Sequence, residues 1–346
     1  MEKSTSELDM DRFMLIAEGH AAFQLLWAGV QFDLFSKLSE QKTLTADELQ
    51  LALSIGKQPI RILLTGLTAL GLIRKVEAGY QNASLSEIYL VKNSPRSIIP
   101  ILGWQHHIVY KGLFDFTESL KTDTNVGLRN FPGDGITLYE RLVSHPETEQ
   151  IFQNAMSALS KQANEDFLAV VDFQGIKHLV DVGGGNGTNA IAIANRNQNL
   201  KLTVFDSESV CNIARENIKS NGLSDRVDTY NGDLFTTPFP KGVDAFLFSH
   251  MFTIWAPEKN KEILDKTYNA LPKGGKVFIF NMMGNDDESG PMSTALGSPY
   301  FHAIATGEGM LYTWADYERW LTESGFSSFR RYEGLPMDHG LFVAIK

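Results

Sequence analysis

Four short stretches between residues 179 and 255 carry side chains whose types and spacing could do chemistry. The first, "LVDVGGGNGTN", sets Gly183, Gly184, Gly185 and Gly187 between an apolar run and a helical one. Backbone without a Cβ can pass close to a ligand there, and the following helix N-terminus favours anionic groups. The register is G-x-G-x-G, and Thr188 stands where a dinucleotide site needs its last glycine. Asp181, two residues before the glycines, is placed to orient an ammonium group. In the second stretch, "LTVFD", Asp206 closes a strand at the position from which a carboxylate accepts both ribose hydroxyls, with Ser207 next to it. In the third, "NGDLF", Asp233 can reach an adenine amino group while Leu234 and Phe235 lie against the ring. A ligand with a ribose, an adenine and an amino-acid tail but no pyrophosphate fits this set. S-adenosyl-L-methionine meets that description, and NAD meets it less well.

The fourth stretch, "FSHMFTIW", ends the next strand, read here as Val243–Phe248. It offers Ser249, His250, Phe252, Thr253 and Trp255 to whatever binds beyond the sheet. A threonine hydroxyl is not a general base, so any proton acceptor has to come from elsewhere. His250 lies three residues before Thr253, and on a helical turn the two would share a face. His302, in "GSPYFHAIATGEGM", follows Tyr300 and is the preferred base candidate. His106 and His107 could reach in from the N-terminal half, and His339, in "PMDHGLFVAIK", could shape the same pocket or cap a strand. His250, His302 and Asp286 lack metal-ligand spacing, so no metal site is expected.

The elements that must position these groups fall into two halves. With 346 residues, 43% of them hydrophobic and 21% charged, the chain is long enough for two domains. Asp9 to Glu40 has apolar residues at helical spacing on a broad face that needs a partner surface. Thr45 and Glu48 form a capping-box pattern. A helix, a break at Gly71 and two short strands around Gly79 then complete a winged helix-turn-helix order. "NVGLRNFPGDGITLYERL" reads as a loop, and "PETEQIFQNAMSALSKQANEDFLAVVDF" as a helix ending near Gly175. The boundary is placed there, giving domains 1–175 and 176–346. From His178 onward short apolar runs alternate with helices, the pattern of a mainly parallel α/β sheet, and an insertion from Asp286 to Arg330 precedes the strand "HGLFVAIK". The net charge of −10 and the weakly basic winged helix, with only Lys57 and Arg61, argue against nucleic acid as a partner. A single cysteine, Cys211, fits a reducing cytoplasm. The N-terminus shows no export signal, and no apolar run is long enough for a membrane span.

Taken together, "FQNAMSALSKQ", "DFQGIKHLVDVGGGNGTNAIAIA", "VFD", "GDLF", "LPKGGKVFIFN" and "YTWADYERWLTESGF" resemble the S-adenosylmethionine-dependent O-methyltransferases of the plant caffeic acid and flavonoid type and their bacterial natural-product relatives. The resemblance spans nearly the whole chain. It implies a helical, winged-helix dimerisation and substrate-lid domain that forms an intertwined homodimer, a Rossmann-like cofactor-binding domain, and an acceptor held between them. By position it implies cofactor contacts at Gly183, Asp206, Asp233, Leu234 and Ser249, with Trp255 beside the adenine, while Gly185 and Gly187 are cofactor-binding candidates from the glycine turn itself. Trp104, His107, Tyr110, Phe152, Met156, Phe252, Met282, Tyr300 and Met310 are expected around the acceptor. Members of the family typically have a hydroxyl-deprotonating histidine followed by Asp-Trp. This chain has Thr253-Ile254-Trp255, and Asn281 replaces the acidic residue that steadies the histidine. The expectation is therefore a cytoplasmic, homodimeric methyltransferase for a small aromatic or polyketide-like secondary metabolite, without the usual base and tilted toward acidic oxygen, carbon or nitrogen acceptors. A non-methylating reaction on the same fold, such as decarboxylation, hydroxylation or a pericyclic step, is the alternative. A ligand-sensing winged-helix regulator is the remote one.

Overall fold

The computed structural model describes residues 8–346. The expectation that no export signal is present rests partly on residues 1–7, which lie outside the described residues. The chain divides into two compact units, Met1–Gly103 and Trp104–Lys346.

In the first unit the long apolar stretch forms three helices, Met10–Ala17, Gly19–Gln31 and Leu34–Gln41. The chain turns 74° between the first two, and Asp33 enters the third in a left-handed conformation. Thr45 caps the helix Ala46–Leu53 through the capping box expected from the sequence. The helix Lys57–Ala69 follows, and strands β1 (Ile73–Val76) and β2 (Gly79–Asn82) pair antiparallel as the wing. Gly79 has no alternative residue, because a Cβ there would lie 2.3 Å from the Leu44 carbonyl oxygen. Leu34, Phe35, Leu49, Leu64 and Leu67 form the centre of this unit's core. The helix Met10–Ala17, in contrast, has no buried residue, and Met10, Phe13, Met14, Leu15 and Ile16 are all exposed.

The second unit is built on a seven-stranded sheet in the order β5-β4-β3-β6-β7-β9-β8. Its strands are β3 (His178–Val182), β4 (Lys201–Asp206), β5 (Val227–Asn231), β6 (Ala245–Ser249), β7 (Lys276–Met282), β8 (Ser328–Tyr332) and β9 (His339–Ile345). The first five run parallel, while β9 lies antiparallel between β7 and β8. Side chains alternate across the sheet. Val180, Val182, Phe246, Phe248, Val277 and Ile279 go to one core, and Leu179, Leu202, Val204, Leu247, Phe278, Phe280 and Leu341 go to the other. That alternation carries Asp181, Asp206, Ser249, Met282 and His339 to the second face, at or near the sheet edge where ligands are bound in such folds.

The helix Pro146–Val170 packs on that same face. Phe167 is 1% exposed and its ring lies 5.0 Å from Phe280 and 6.2 Å from Phe173. The boundary expected at residue 175 therefore gives way to one at Gly103, since the aromatic face of this helix belongs to the sheet's core. Two further expectations change. "TLYERL", read as loop, contains the helix Leu138–Leu142, started by a Thr137–Glu140 capping box. The insertion ends in β8, whose polar sequence "SFRRY" hides an edge strand. Truncation of Phe167 to Ala should cost about 3–5 kcal/mol in urea unfolding monitored by circular dichroism, the range for deleting a fully buried aromatic ring.

Candidate active site

β3 delivers the chain into Gly183, Gly185 and Gly187, all with positive φ (67°, 57° and 81°). A side chain at residue 184 would set its Cβ 2.8 Å from Asp181 Oδ2, so the carboxyl group lies directly under the loop. Asp181 is 1% exposed, and neither of its oxygens has a hydrogen-bond partner. Burial, reinforced by the charge of Asp206, pushes its pKa up to about 8. Asp206 accepts from the Gly185 N–H at 2.9 Å and the Ser207 N–H at 2.8 Å. Burial still holds its carboxyl above the ordinary range. Two acids with spare lone pairs under an open glycine loop fit a ligand with one cationic group and a pair of hydroxyls. Above the loop, Gln153 of the helix Pro146–Val170 reaches Gly185, and Ser157 meets the Thr188 hydroxyl at 2.9 Å. These two residues escaped sequence reasoning, although both stand in or beside the quoted "FQNAMSALSKQ".

Past β5, Asp233 Oδ1 accepts from the Thr236 and Phe235 N–H groups and the Thr236 hydroxyl, which together keep the carboxyl below its usual range. Lys266 fixes this turn by donating to the Leu234 and Thr237 carbonyls, both at 2.6 Å. Phe235 and Trp255 meet edge to face at 5.1 Å, and Leu234 packs against the same core. Lys259 lies over the Trp255 ring at 5.1 Å and pairs with Glu308 at 2.7 Å. The four residues expected around an adenine, Asp233, Leu234, Phe235 and Trp255, are thus brought together.

The segment after β6 is an irregular turn, not the helical turn imagined for His250 and Thr253. Thr253 is 1% exposed and its hydroxyl donates to the His250 carbonyl at 3.2 Å. Phe252 is fully buried against Phe248 and belongs to the sheet core, which removes it from the acceptor set. Asn281, also fully buried, donates to the Tyr317 hydroxyl at 3.0 Å. His250 adopts a left-handed φ of 55°, an uncommon state for a residue with a Cβ. Its Nε2 lies 2.8 Å from His339 Nε2 and its Nδ1 lies 3.2 Å from Ser249 Oγ. Burial first, then His339, pull the His250 pKa down to about 3.

On the acceptor side, Trp104 and Tyr300 meet at 4.9 Å and Tyr139 and Phe152 at 5.7 Å, within one aromatic cluster that also holds Phe301. Tyr139 and Phe301 were not anticipated; the capping box before Tyr139 was the available signal. Both Trp104 and Tyr300 adjoin π-helical turns, Gln105–Val109 and Phe301–Ala305, a distortion that recurs at functional sites. His107 sits in the first of these turns, and burial lowers its pKa. Met156 and Met282 are half-buried, while Tyr110 and Met310 are exposed. His302, the preferred base candidate, is anchored through one ring nitrogen. Its Nε2 donates to the Ser119 carbonyl at 3.2 Å, so that nitrogen carries a proton and ties the π-turn to the helix Phe116–Thr122. Among the described residues no cluster of three or more potential metal ligands occurs.

Replacing Asp206 by Ala should weaken S-adenosylmethionine binding by about 1.5–3 kcal/mol in calorimetric titration, because two hydroxyls lose a charged acceptor. The same titration should be pH-dependent. The free protein holds Asp181 protonated below about pH 8, whereas a bound cation favours the carboxylate. Affinity should therefore climb as pH rises toward 8 and level off above it. Proton release should appear as a buffer-dependent enthalpy, and Asp181→Asn should abolish both effects.

Residues 118–327 match the O-methyltransferase domain family and residues 14–92 the O-methyltransferase dimerisation domain. The chain is 38% identical to the L-tyrosine C(3)-methyltransferase of Streptomyces lavendulae, over 98% of this chain and 93% of that protein. It is 32% identical to the 3-hydroxy-5-methyl-1-naphthoate 3-O-methyltransferase of Streptomyces sahachiroi, over 96% and 94%. The apo crystal structure of the S-adenosylmethionine-dependent methyltransferase SibL superimposes with a TM-score of 0.83 at 37% identity, covering 98% of this chain and 99% of that one. Human N-acetylserotonin methyltransferase in complex with S-adenosylmethionine shares the fold, with a TM-score of 0.86 at 22% identity over 99% of each chain. With a glycine cradle over two acids, an aromatic wall and these relatives, the chain belongs to the S-adenosylmethionine-dependent O-methyltransferase family.

Proposed function

We propose that this enzyme methylates a small hydroxyphenyl compound of secondary metabolism, tyrosine or a close analogue, at a ring carbon beside the hydroxyl group. The observation that carries the reading is Thr253. At the position where the family places its hydroxyl-deprotonating histidine, this chain has a buried residue whose proton goes to a backbone carbonyl. Residue 253 therefore offers no base to a phenol oxygen brought into line with the methyl group. A ring carbon activated by the neighbouring hydroxyl can attack instead, and the proton lost from that carbon leaves downhill as aromaticity returns. The relative acting on C3 of L-tyrosine supports carbon as the acceptor atom.

Bound S-adenosylmethionine supplies the electrophilic methyl group. Asp181, the glycine loop and Asp206 hold it, with Phe235 and Trp255 against its base. Trp104, Tyr139, Phe152 and Tyr300 offer edges and faces that can hold a second ring. Catalysis then consists of setting that ring about 3–3.5 Å from the methyl and excluding water. The dimerisation domain supports a homodimer in which the exposed apolar helix Met10–Ala17 is covered by a second copy. No single helix among the described residues is long and apolar enough to cross a membrane. A lone, buried Cys211 fits the cytoplasm.

Incubation with S-adenosylmethionine and ring-deuterated L-tyrosine should give a product that has gained a methyl and lost one ring deuterium. Retention of all ring deuterium would move the transfer to oxygen or nitrogen, and absence of any methylated product across a panel of hydroxyaryl compounds would end the reading. Thr253→Ala should leave turnover within about tenfold, since no proton transfer passes through the threonine. In light scattering the protein should run at about twice its 38.5 kDa chain mass, and paired Phe13→Asp and Ile16→Asp substitutions should shift it to monomer.

A further inference from the structure

The hydrogen bonds around His250 and His339 fix every proton in a row of four groups. The Pro336 carbonyl can only accept, and it lies 3.0 Å from His339 Nδ1, so that nitrogen carries the proton. In the neutral ring His339 Nε2 is then an acceptor, and the proton on the 2.8 Å contact belongs to His250 Nε2. His250 Nδ1 is left as an acceptor and takes the Ser249 hydroxyl proton at 3.2 Å. The row therefore reads Ser249 to His250 to His339 to the Pro336 carbonyl, each member donating to the next. Its outer end is open. Ser249 is half-buried, lies one residue beyond the Val182–Phe248 pair, and shares the sheet face of Asp181 and Asp206. With its own proton pointed inward, Ser249 Oγ presents only lone pairs outward.

We infer that Ser249, His250 and His339 form a proton relay that stands in for the family's missing histidine and draws off the proton released by the hydroxyaryl acceptor. The step balances without any further reagent. The acceptor's hydroxyl proton passes to Ser249 Oγ, the serine proton to His250 Nδ1, and the His250 Nε2 proton to His339 Nε2. The acceptor becomes an aryloxide, His250 ends neutral in its other tautomer, and His339 ends as imidazolium. Methyl transfer to the ring carbon of the aryloxide gives a neutral dienone, which loses its ring proton to water as aromaticity is restored while its oxygen takes a proton back, so the product leaves as the phenol. One proton per turnover then leaves His339 for solvent.

The surroundings place the charge on His339 and not on His250. The ionisable group facing His250 is His339, whose charge opposes a second one, and burial penalises the cation further. His339 faces the carboxylates of Asp166, from the helix Pro146–Val170, and Asp338, its chain neighbour, together with the Pro336 carbonyl; all three favour its cation. Burial outweighs them and leaves its pKa below the ordinary value, so the ring is neutral and receptive at pH 7. Asp338 is itself held by the Ser293 hydroxyl. Phe280 stacks on His339 at 17° and meets His250 edge-on at 74°, which fixes both ring planes. The left-handed backbone of His250, with its N–H on the Phe280 carbonyl at 2.9 Å, turns the ring toward His339. In this scheme Ser249 is the catalytic residue, while His250 and His339 act through it.

This rests on the hydroxyaryl reading of the acceptor, and two measurements separate the two claims. Nitrogen NMR of histidine-labelled protein at pH 7.5 needs no acceptor. It should show His250 protonated at Nε2, His339 protonated at Nδ1, and a scalar coupling across their hydrogen bond; the opposite tautomers would overturn the relay whatever the substrate. The second is kcat against pH with the methylated hydroxyaryl compound. Wild type should rise through an apparent pKa below 6.5 and then plateau. His339→Gln keeps an acceptor for His250 but cannot take a proton. It should lower kcat by about 10–10²-fold with KM and S-adenosylmethionine affinity within about threefold, and its rate should climb with pH toward the phenol's own ionisation. Ser249→Ala should show the same climbing profile, which keeps the test available if the His339 variant fails to fold. A wild-type plateau in both variants would show that the row is structural. A wild type that makes no hydroxyaryl product, with the tautomers as assigned, would overturn the acceptor reading while leaving the proton row in place.

Discussion

A carboxyl group taken out of water without a partner sets the terms for the catalytic unit. Ionised, Asp181 would cost several kcal/mol after relaxation. The protein holds it instead as a neutral acid to about pH 8. The position is imposed by the sheet: Leu179 and Asp181 share a face, and Leu179 is buried among the residues that anchor β3. Flanking strands set Val204 and Leu247 beside Asp181, so these paired side chains bring no compensating cation. The glycine turns that follow leave one direction open, through the loop. A cationic ligand entering there would remove the penalty and the neutral state together.

At the tip of β6 this chain sets neutral groups that bond to one another. Thr253 bonds back to His250, Asn281 to Tyr317, and the Tyr312 hydroxyl donates to the Trp255 carbonyl at 2.7 Å. Tyr317 is fully buried, and desolvation pushes its phenol far above the usual range. Each of these bonds joins uncharged groups. Gly309 presses on the tip so closely that a Cβ would stand 2.1 Å from the Thr253 carbonyl oxygen.

What was legible in the sequence was what depends on near neighbours. The glycine turn, the acids closing β4 and β5, the Thr45 cap and the alternation of strands and helices are all local patterns, and each appears in the structure. What was not legible depends on distant ones. The helix Pro146–Val170 reads as part of a helical domain until Phe167 is seen against Phe280, and β8 lacks the apolar run that marks a buried strand because it lies on the sheet edge. His250 and His339 are 89 residues apart, and nothing in either flanking sequence announces the other. Their pairing follows from the register that sets Met282 beside His339 and Ser249 beside Phe280. His302 drew attention through its small, aromatic surroundings, which turned out to be the packing of a π-turn on Ser119.

The strand order also bears on how the molecule is made. β9 lies between β7 and β8, yet it follows both along the chain. During synthesis β7 emerges with its outer edge unpaired, and β8 emerges with no strand to join, until β9 arrives and closes the gap from both sides. The nascent chain therefore carries an exposed, strongly apolar strand, Val277 to Phe280, for the time needed to translate more than fifty further residues. His339 opens β9, so the segment that completes the sheet also brings in the second ring of the histidine pair. A chain stopped before that point would present both an aggregation-prone edge and an unfinished site, and the cell's quality control would meet the two defects as one.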